Sequence, residues 1–175
     1  MKTINTKDSS LRHHLRGIMG EIELSFDLDN LPGTADSVIV FIPWGNGLIT
    51  VHNPIRGWEI PGGRLEPGET EKDAVLREAY EEAGCRVGEP AKFGQYRFKK
   101  GKQSWVMTIA LYYAEGLKLE PIPEGSEMVD IEILPLGCLE RVVTEHKYNP
   151  AMRDKVFTLA IQRLRELGLL PVSER

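Results

Sequence analysis

The stretch GGRLEPGETEKDAVLREAYEEAGC, residues 62–85, constrains the fold most strongly, because it carries the start, body and end of one helix. Thr70 followed three residues later by Asp73 resembles a capping box, and acidic side chains suit the positive end of a helix dipole. Gly84 is the residue type at which helices commonly end. We therefore predict a helix from about residue 71 to residue 83, preceded by a glycine-rich loop.

Three glutamates make this predicted helix unusual. Glu78, Glu81 and Glu82 are close in sequence, and like charges three or four residues apart destabilise an isolated helix by about 0.2–0.5 kcal/mol per pair. We predict that the three share one side of the helix, opposite an apolar face. That apolar face would consist of Val75, Leu76, Ala79, Tyr80 and Ala83. The acidic side is either a solvated surface or a site for a hard divalent cation, which prefers oxygen ligands.

The wider pattern resembles the signature of the Nudix hydrolases. That signature reads Gly, five residues, Glu, seven residues, Arg-Glu, an aliphatic, any residue, Glu-Glu, any residue, Gly and an aliphatic. The matching residues are Gly63, Glu69, Arg77, Glu78, Glu81, Glu82 and Gly84, with the smaller Ala79 and Cys85 at the aliphatic positions. We call residues 63–85 the signature. The preceding RGWEIPGG and a predicted long hairpin after the signature are also similar to the family.

The resemblance implies hydrolysis of a pyrophosphate linkage in a nucleotide, with Mg²⁺ or Mn²⁺ as cofactor. It implies that the three clustered glutamates bind the metal together with the backbone carbonyl of Gly62. Metal ions would neutralise the diphosphate and stabilise the charge that develops on the leaving phosphate. They would also explain why three carboxylates are clustered. Arg77 is expected to orient Glu69 through a charge-assisted hydrogen bond.

Two further charged positions are candidates by resemblance. Arg64 follows the glycine pair and is either a phosphate contact or an ordinary surface arginine. Relatives take their general base either from a signature glutamate or from an acid on a distant loop. In this chain that loop is PIPEGSEMVD, which contains Glu124 and Glu127. We favour Glu127 as the additional catalytic acid and metal ligand.

The missing markers of other subfamilies narrow the substrate. The proline of ADP-ribose hydrolases and the tyrosine of dinucleoside-polyphosphate hydrolases would fall near Gly101, where neither is present. The remaining resemblance is to the MutT-type enzymes, which cleave nucleoside triphosphates, including 8-oxo-dGTP, to monophosphate and pyrophosphate. Alternatives are a nucleotide sugar, a dinucleoside polyphosphate or an RNA 5′ end. A non-catalytic nucleotide-sensing module is disfavoured, because every signature glutamate is present.

The MutT-type resemblance also suggests where the base would bind. In that group the base lies between strand residues before the signature and the last helix, which here indicates Trp58, Ile60 and Asn149. An asparagine amide can both donate to and accept from a purine edge, although Asn149 is also a plausible helix N-cap. Trp105 could stack on a base, but we favour core packing for it.

The rest of the chain predicts an α/β or α+β fold, a single domain over residues 1–175. By resemblance this is the Nudix fold, a mixed central β-sheet sandwiched between helices with a catalytic loop–helix–loop. Residues 1–17 would be a loose lead-in or a short helix. We predict strands at GEIELSF, AKFGQYRF, SWVMTIALYYAEG and EMVDIEIL, a hairpin at SVIVFIPWGNGLITVHN, and a last helix at NPAMRDKVFTLAIQRLRELG.

Composition limits the partners. The net charge of −4 provides no general attraction to duplex nucleic acid or to an anionic membrane, so a small-molecule nucleotide is the expected partner. Cys85 and Cys138 are too few for a disulfide framework and indicate reduced thiols in a cytoplasmic protein. No apolar run reaches the length of about 18 residues needed to span a bilayer. The sequence leaves the oligomeric state open.

Overall fold

The computed structural model describes residues 9–172, which form twelve strands, three α-helices and three short 3₁₀ helices. The strands are β1 (Arg12–Gly17), β2 (Gly20–Ser25), β3 (Ser37–Phe41), β4 (Pro43–Trp44), β5 (Gly47–Asn53), β6 (Gly57–Glu59), β7 (Gly62–Arg64), β8 (Cys85–Val87), β9 (Ala91–Lys99), β10 (Met107–Tyr113), β11 (Gly116–Leu119) and β12 (Asp130–Pro135). The α-helices are α1 (Glu71–Ala83), α2 (Arg141–Thr144) and α3 (Lys155–Glu166), and the 3₁₀ helices are Ser9–Leu11, Leu136–Cys138 and Pro150–Arg153.

A mixed sheet in the order β1-β2-β9-β10-β3-β7 lies at the centre of the fold, with β10 and β3 parallel. Successive residues of a strand point to opposite faces. Val38 and Val40 of β3 therefore pack on the face that α1 covers, while Ile39 and Phe41 pack on the face that α3 covers. A second sheet, β12-β5-β4 with β6 paired to β5, adjoins it. The predicted mixed sheet between helices is confirmed.

The prediction of a loose or helical lead-in over residues 1–17 is wrong for residues 12–17, whereas residues 9–11 form a short 3₁₀ helix. Residues 12–17 form β1, which pairs antiparallel with β2 along its whole length. Leu15 packs against the core, and the His13 ring meets the Phe26 ring edge to face at 6.0 Å. Every second residue of β1 is exposed to solvent. This exposure explains why a strand can have such a polar sequence. Residues 1–8 of the predicted lead-in lie outside the described residues.

The predicted hairpin over residues 37–53 is only partly correct. The turn lies between β4 and β5, and Gly45 has the positive φ, 58°, expected of such a turn. However, β3 pairs with β10 and β7 in the mixed sheet, whereas β4 and β5 belong to the second sheet. One apolar run thus supplies strands to two sheets, because β3 pairs in parallel with β10, which lies far along the chain.

The strands predicted at GEIELSF, AKFGQYRF, SWVMTIALYYAEG and EMVDIEIL are present as β2, β9, β10 and β12. The last helix differs from the prediction. The segment from residue 149 begins with the 3₁₀ helix Pro150–Arg153, which Asn149 caps by accepting from the backbone N–H of Ala151 at 2.9 Å. The chain then becomes extended at Asp154 before α3 begins. Cys85 and Cys138 are free thiols. No helix within residues 9–172 is long and apolar enough to cross a membrane.

Candidate active site

The helix α1 has the bounds and caps that its sequence predicts. The Thr70 hydroxyl accepts from the backbone N–H of Asp73 at 3.1 Å, and the Asp73 carboxylate accepts from the backbone N–H of Thr70 at 3.0 Å. Gly84 ends the helix in the left-handed conformation, with φ 63°. Both ends of α1 are therefore fixed by local hydrogen bonds and backbone geometry.

The predicted faces of α1 need correction. Glu78 is buried on the inward face together with Val75 and Ala79, whereas Leu76 is 44% exposed. Glu78 fits there because Gly63 of β7 has no side chain, since a Cβ at that position would collide with the Glu78 carboxylate. Glu82 is half-buried and only Glu81 is exposed. The acidic cluster thus points into the fold at the glycine pair instead of lying opposite the apolar face.

The Arg77 side chain donates hydrogen bonds to three glutamates of the signature. Its guanidinium donates to both carboxylate oxygens of Glu69, at 2.6 and 3.0 Å, so the predicted contact is present. It also donates to Glu78 at 2.7 Å and to Glu81 at 3.1 Å. The hydrogen bond from Arg77 lowers the pKa of Glu69 to about 2. This single cation offsets part of the repulsion among the carboxylates and joins the loop before α1 to the helix.

Glu82 has no such cation. Its Oε2 accepts from the backbone N–H of Gly62 at 2.9 Å. Burial raises the pKa of Glu82 to about 8, and the charges of Glu78 and Glu59 add to this effect. Burial also raises the pKa of Glu78, against the lowering effect of Arg77. Of the two inward carboxylates, Glu78 is therefore paired with Arg77, whereas Glu82 has no cation hydrogen-bonded to it.

The chemistry of these donors fits a hard divalent cation. The three glutamates supply carboxylate oxygens from neighbouring turns of one helix, and the Gly62 backbone contacts one of them, Glu82. Within the part of the chain that the structure describes, no three acidic, histidine or cysteine side chains are gathered into a metal-binding cluster. Arg77 occupies Glu78 and Glu81 in this arrangement, so these side chains would exchange partners on binding a cation.

A second group of charges, on the turn after β5 and the loop before β12, faces the same site. Arg56 donates to Glu59 through two nitrogens, at 2.7 and 3.2 Å. These hydrogen bonds raise the pKa of Arg56, and the charges of Glu59, Glu127 and Glu82 contribute in the same direction. Glu127, the predicted additional acid, is exposed on the loop before β12. Its charge and that of Glu82 both act on Arg56. Glu124 is exposed and makes no comparable contribution to Arg56.

A cavity of about 340 Å³ runs from the glycine pair into the fold, between the mixed sheet and α3. Gly62, Gly63 and Arg64 form the part of its lining next to the signature helix. Its inner wall is mainly apolar and includes Ile22, Ile39, Phe98, Met107, Met152 and Phe157. The volume lies within the usual range of small-molecule sites. The arrangement suits a ligand with an apolar or aromatic part inside and a charged part at the glycine pair.

Of the four residues predicted to contact the ligand, three line the cavity and one does not. Arg64 and Ile60 line the cavity, and within residues 9–172 the Arg64 guanidinium has no ion-pair partner. Asn149 lines it too, but its side-chain oxygen caps the 3₁₀ helix and its nitrogen donates to Glu59. Trp58 lies outside the lining, where it stacks on His52 with ring centroids 4.9 Å apart.

The expectation of core packing for Trp105 is wrong. Trp105 is half-exposed just before β10, and the guanidinium of Arg97 lies 4.1 Å from its ring centroid. The ammonium group of Lys99 lies 4.9 Å from the same ring. The tryptophan is thus part of a basic surface at the end of the β9–β10 hairpin.

Two acidic residues in the cavity lining are absent from the sequence-based prediction. Glu59 lies between Arg56 and Asn149, and its only sequence signal is its place in WEIPGG. Asp154 is 6% exposed and lies just before α3. An aspartate in that position is an ordinary N-cap, so its sequence context carries no functional signal.

The family follows from a comparison with known proteins. Residues 33–156 match the family described as the NUDIX domain, which covers most of the chain and includes the signature, most of the residues that line the cavity and the start of α3. This chain is a Nudix hydrolase. It is a pyrophosphohydrolase enzyme that acts on a nucleotide-linked substrate.

Two Nudix relatives are similar over most of the chain, and a third over about two thirds of it. A Bacillus subtilis (strain 168) protein with the provisional name 8-oxo-dGTP diphosphatase YtkD is 32% identical over 84% of this chain and 91% of its own length. The crystal structure of a mutant of the Bacillus subtilis pyrophosphohydrolase BsRppH superposes with a TM-score of 0.80 and 28% identity, covering 90% of this chain and 99% of that one. The NAD-capped RNA hydrolase NudC of Pseudomonas syringae pv. syringae (strain B728a) is 30% identical over 65% of this chain and 41% of its own length.

Proposed function

We propose that this Nudix hydrolase cleaves nucleoside triphosphates between the α- and β-phosphorus atoms, releasing a nucleoside monophosphate and pyrophosphate. One observation carries the proposal: the cavity connects an apolar chamber to the glycine pair, which lies beside the Glu78 carboxylate and beside Glu82, a carboxylate with no cation hydrogen-bonded to it. A nucleobase suits the chamber, and a triphosphate with a divalent cation suits the end at the glycine pair. The provisional name of YtkD supports a triphosphate substrate and makes 8-oxo-dGTP one to test.

In this proposal the cofactor is Mg²⁺ or Mn²⁺, held by Glu78, Glu81, Glu82 and the carbonyl of Gly62, with Glu127 as a further ligand. When bound, a divalent cation neutralises phosphate charge and lowers the pKa of a coordinated water. Arg77 would position the carboxylates through its hydrogen bonds to them. The side chain of Arg64 would contact the phosphates, since it lines the cavity without an ion-pair partner in the described residues.

We assign the additional acid to Glu127. Its charge, like that of Glu82, raises the pKa of Arg56, so both carboxylates act electrostatically on one guanidinium. An exposed carboxylate on a loop can approach the end of the cavity at the glycine pair and accept a proton from the attacking water. A signature glutamate remains the alternative base, and Glu127→Gln distinguishes them: a loss in kcat that persists at saturating cation supports Glu127, and an unchanged kcat supports a signature glutamate.

A second substrate class, an RNA 5′ end, is favoured by the surface beside the cavity. Phe98 and Met107 line the cavity and flank the β9–β10 turn, which carries Lys99, Lys100, Lys102 and the half-exposed Trp105. Basic side chains with an exposed aromatic ring suit a single-stranded polynucleotide, because the cations contact phosphates and the ring can stack on a base. The similarity to NudC, a hydrolase of NAD-capped RNA, supports the same interpretation.

A substrate screen tests the proposal. Purified protein is incubated with Mg²⁺ and nucleoside triphosphates, 8-oxo-dGTP, nucleotide sugars, dinucleoside polyphosphates or a 5′-triphosphorylated oligoribonucleotide, and pyrophosphate and orthophosphate are measured separately. We expect pyrophosphate from triphosphates and no reaction in excess chelator. Robust hydrolysis in chelator would contradict the metal mechanism. A kcat/KM for the oligoribonucleotide above that of every free triphosphate, with loss of this advantage in a Lys100→Gln/Lys102→Gln variant, would favour the second class.

A further inference from the structure

The strand β1 forms a free edge of the mixed sheet. The sheet has the order β1-β2-β9-β10-β3-β7, and within residues 9–172 β1 pairs only with β2. At the opposite edge, β7 lies against α1, and the Gly62 N–H donates to Glu82. An unpaired edge offers a row of backbone N–H and C=O groups to which another strand can bind. β1 is therefore the edge of this sheet that is open to a further strand.

The register of β1 against β2 shows which of these groups point outward. The Phe26 N–H donates to the Leu11 carbonyl oxygen at 2.8 Å, and this pair continues the β1–β2 register by one residue. In an antiparallel pair of strands, residues that bond across the pair alternate with residues that do not. Every second residue after Leu11 therefore bonds to β2, and the residues between them direct their backbone N–H and C=O groups away from it. These outward-facing residues are Arg12, His14 and Arg16.

The outward-facing residues also expose their side chains, all of which are basic. Arg12 donates to Asp27 at 3.1 Å through one of its five N–H groups, which leaves donors for a second carboxylate. Within the part of the chain that the structure describes, neither His14 nor Arg16 forms an ion pair. On the opposite face of β1, Leu15 packs against the core. The outer edge of β1 thus has basic side chains on one face and apolar surface on the other.

A cavity of about 310 Å³ lies beside the basic face of β1. Arg12 and His14 line it with their β2 neighbours Glu23 and Ser25, which the register places on the same face. The Glu23 carboxylate accepts from Arg97 at 2.8 Å, so its negative charge is compensated within the protein. Side chains of an added strand that project on this face therefore have room beside Arg12 and His14.

Charge distinguishes between two occupants of this edge. A second copy of this chain would pair with β1 about a two-fold axis, and the two strands would then be antiparallel. With His14 opposite His14, each Arg12 would face an Arg16, and like charges directly opposite each other destabilise a pair of strands. An extended segment with an acidic residue at every second position would place a carboxylate opposite each arginine instead. The edge therefore favours an acidic partner over a second copy.

We propose that β1 is a docking edge for an acidic, extended segment of a partner protein, which joins the mixed sheet as a seventh, antiparallel strand. Its acidic residues lie opposite Arg12, His14 and Arg16, and the apolar residues between them cover the Leu15 face. The glycine pair precedes α1 in β7, five strand spacings or about 24 Å away across the sheet. The docked segment therefore leaves the candidate active site open and holds the enzyme on a partner without blocking catalysis.

NMR titration of ¹⁵N-labelled protein with synthetic peptides tests the proposal without any measurement of activity. The probe is a blocked peptide with the core Glu-Val-Glu-Val-Glu, and the control peptide has lysine in place of each glutamate. At low ionic strength the acidic peptide should shift the amide signals of Arg12, His14 and Arg16 and slow their hydrogen exchange. It should bind about 3- to 30-fold more tightly than the lysine peptide, the contribution of two exposed ion pairs.

Backbone methylation of the probe separates addition of a strand from simple charge attraction. In the proposed antiparallel pairing, the glutamate N–H groups of the peptide point toward β1 and the valine N–H groups point away. N-methylation of the glutamates should therefore abolish binding, whereas N-methylation of the valines should retain it. Equal effects of the two kinds of methylation would overturn the addition of a strand.

Arg16→Glu provides the variant in the protein. Because Arg16 is exposed, the fold should persist, and the affinity for the acidic peptide should fall about 3- to 30-fold. Lys118→Glu makes the same change of charge on β11, which belongs to another sheet, and should leave the affinity unchanged. Equal losses in the two variants would overturn a specific site at β1. Should Arg16→Glu fail to fold, the peptide comparisons on the wild-type protein decide alone.

Three other results would overturn the proposal. The first is equal affinity for the acidic and lysine peptides, or no binding of either. The second is a dimer in analytical ultracentrifugation whose formation slows exchange of the same three amides, which would assign the edge to a second copy. The third is tighter binding of a single-stranded oligoribonucleotide than of the acidic peptide at these amides, which would assign the edge to nucleic acid.

Discussion

Glu82→Gln is expected to lower kcat at least about 100-fold, a loss of about 2.7 kcal/mol of transition-state stabilisation. The substitution keeps the side-chain volume and the acceptor for the Gly62 N–H, but removes the anionic oxygen proposed to bind the cation. Steady-state kinetics at saturating Mg²⁺ measures the effect. A loss below about fivefold, or roughly 1 kcal/mol, would mean that the metal site is misassigned.

The same substitution should stabilise the protein when no divalent cation is present. Burial raises the folded-state pKa of Glu82 to about 8, above its ordinary value of 4.5. Between these two pH values the folded state binds more protons than the unfolded state, so the free energy of unfolding falls as pH rises. Glutamine does not titrate and escapes this loss. In EDTA at pH 8, Glu82→Gln should gain at least about 1 kcal/mol, or about 2–4 °C in Tm for a domain of this size.

A pH series and a control variant test whether the gain in Tm comes from the buried Glu82 carboxylate and not from the loss of any negative charge. The gain in Tm should shrink toward pH 5, where the wild-type Glu82 is protonated in the folded state. Glu115→Gln removes one exposed negative charge from the turn after β10 and should show no such dependence. A lower Tm for Glu82→Gln than for wild type at pH 8 in EDTA would contradict the account of Glu82 as an uncompensated buried carboxylate.

The two glycines before the signature helix should give opposite results when changed to alanine. A Cβ at Gly62 would collide with the backbone oxygen of Val38 in the neighbouring strand, which cannot move alone. A Cβ at Gly63 would collide with the flexible carboxylate of Glu78. We expect Gly62→Ala to lower stability by about 1–3 kcal/mol, the usual effect of overpacking. Gly63→Ala should keep a Tm closer to wild type but lose kcat at least about tenfold.

Thermal unfolding and kinetics on the same samples test the contrast. Gly137→Ala is the matched control, because nothing lies within 4 Å of a Cβ at that position. Its stability should change by less than about 0.5 kcal/mol. Full activity in Gly63→Ala would show that the position of Glu78 is unimportant, and would remove one of the proposed metal ligands.

Local signals in the sequence were sufficient for the catalytic helix. Thr70, Asp73 and Gly84 act through hydrogen bonds and dihedral angles within a few residues, and these bounds were predicted correctly. The direction in which Glu78 points was not, because a carboxylate enters the buried face only where the distant Gly63 leaves room for it. Burial of a charge depends on its tertiary partner, which helical periodicity alone does not reveal.

Three other parts of the fold were not predicted from the sequence, for a related reason. Residues 12–17 are polar in sequence, and they form a strand because β2 is available as a partner. The last helix breaks at Asp154, where the carboxylate bonds to Ile18, a residue 136 positions earlier. Likewise, β3 pairs with the distant β10 and not with β5, which is nearer in sequence. Each difference comes from a long-range contact that replaced the locally favoured structure.

Hydrolysis in ¹⁸O-labelled water, with products separated by mass, tests the central claim most directly. With GTP and Mg²⁺ we expect GMP and pyrophosphate, one of them carrying the label, and no labelled orthophosphate. The Glu82→Gln variant, purified in the same way, provides the blank for any contaminating phosphatase. GDP and labelled orthophosphate formed by wild-type protein, beyond that blank, would contradict cleavage between the α- and β-phosphorus atoms.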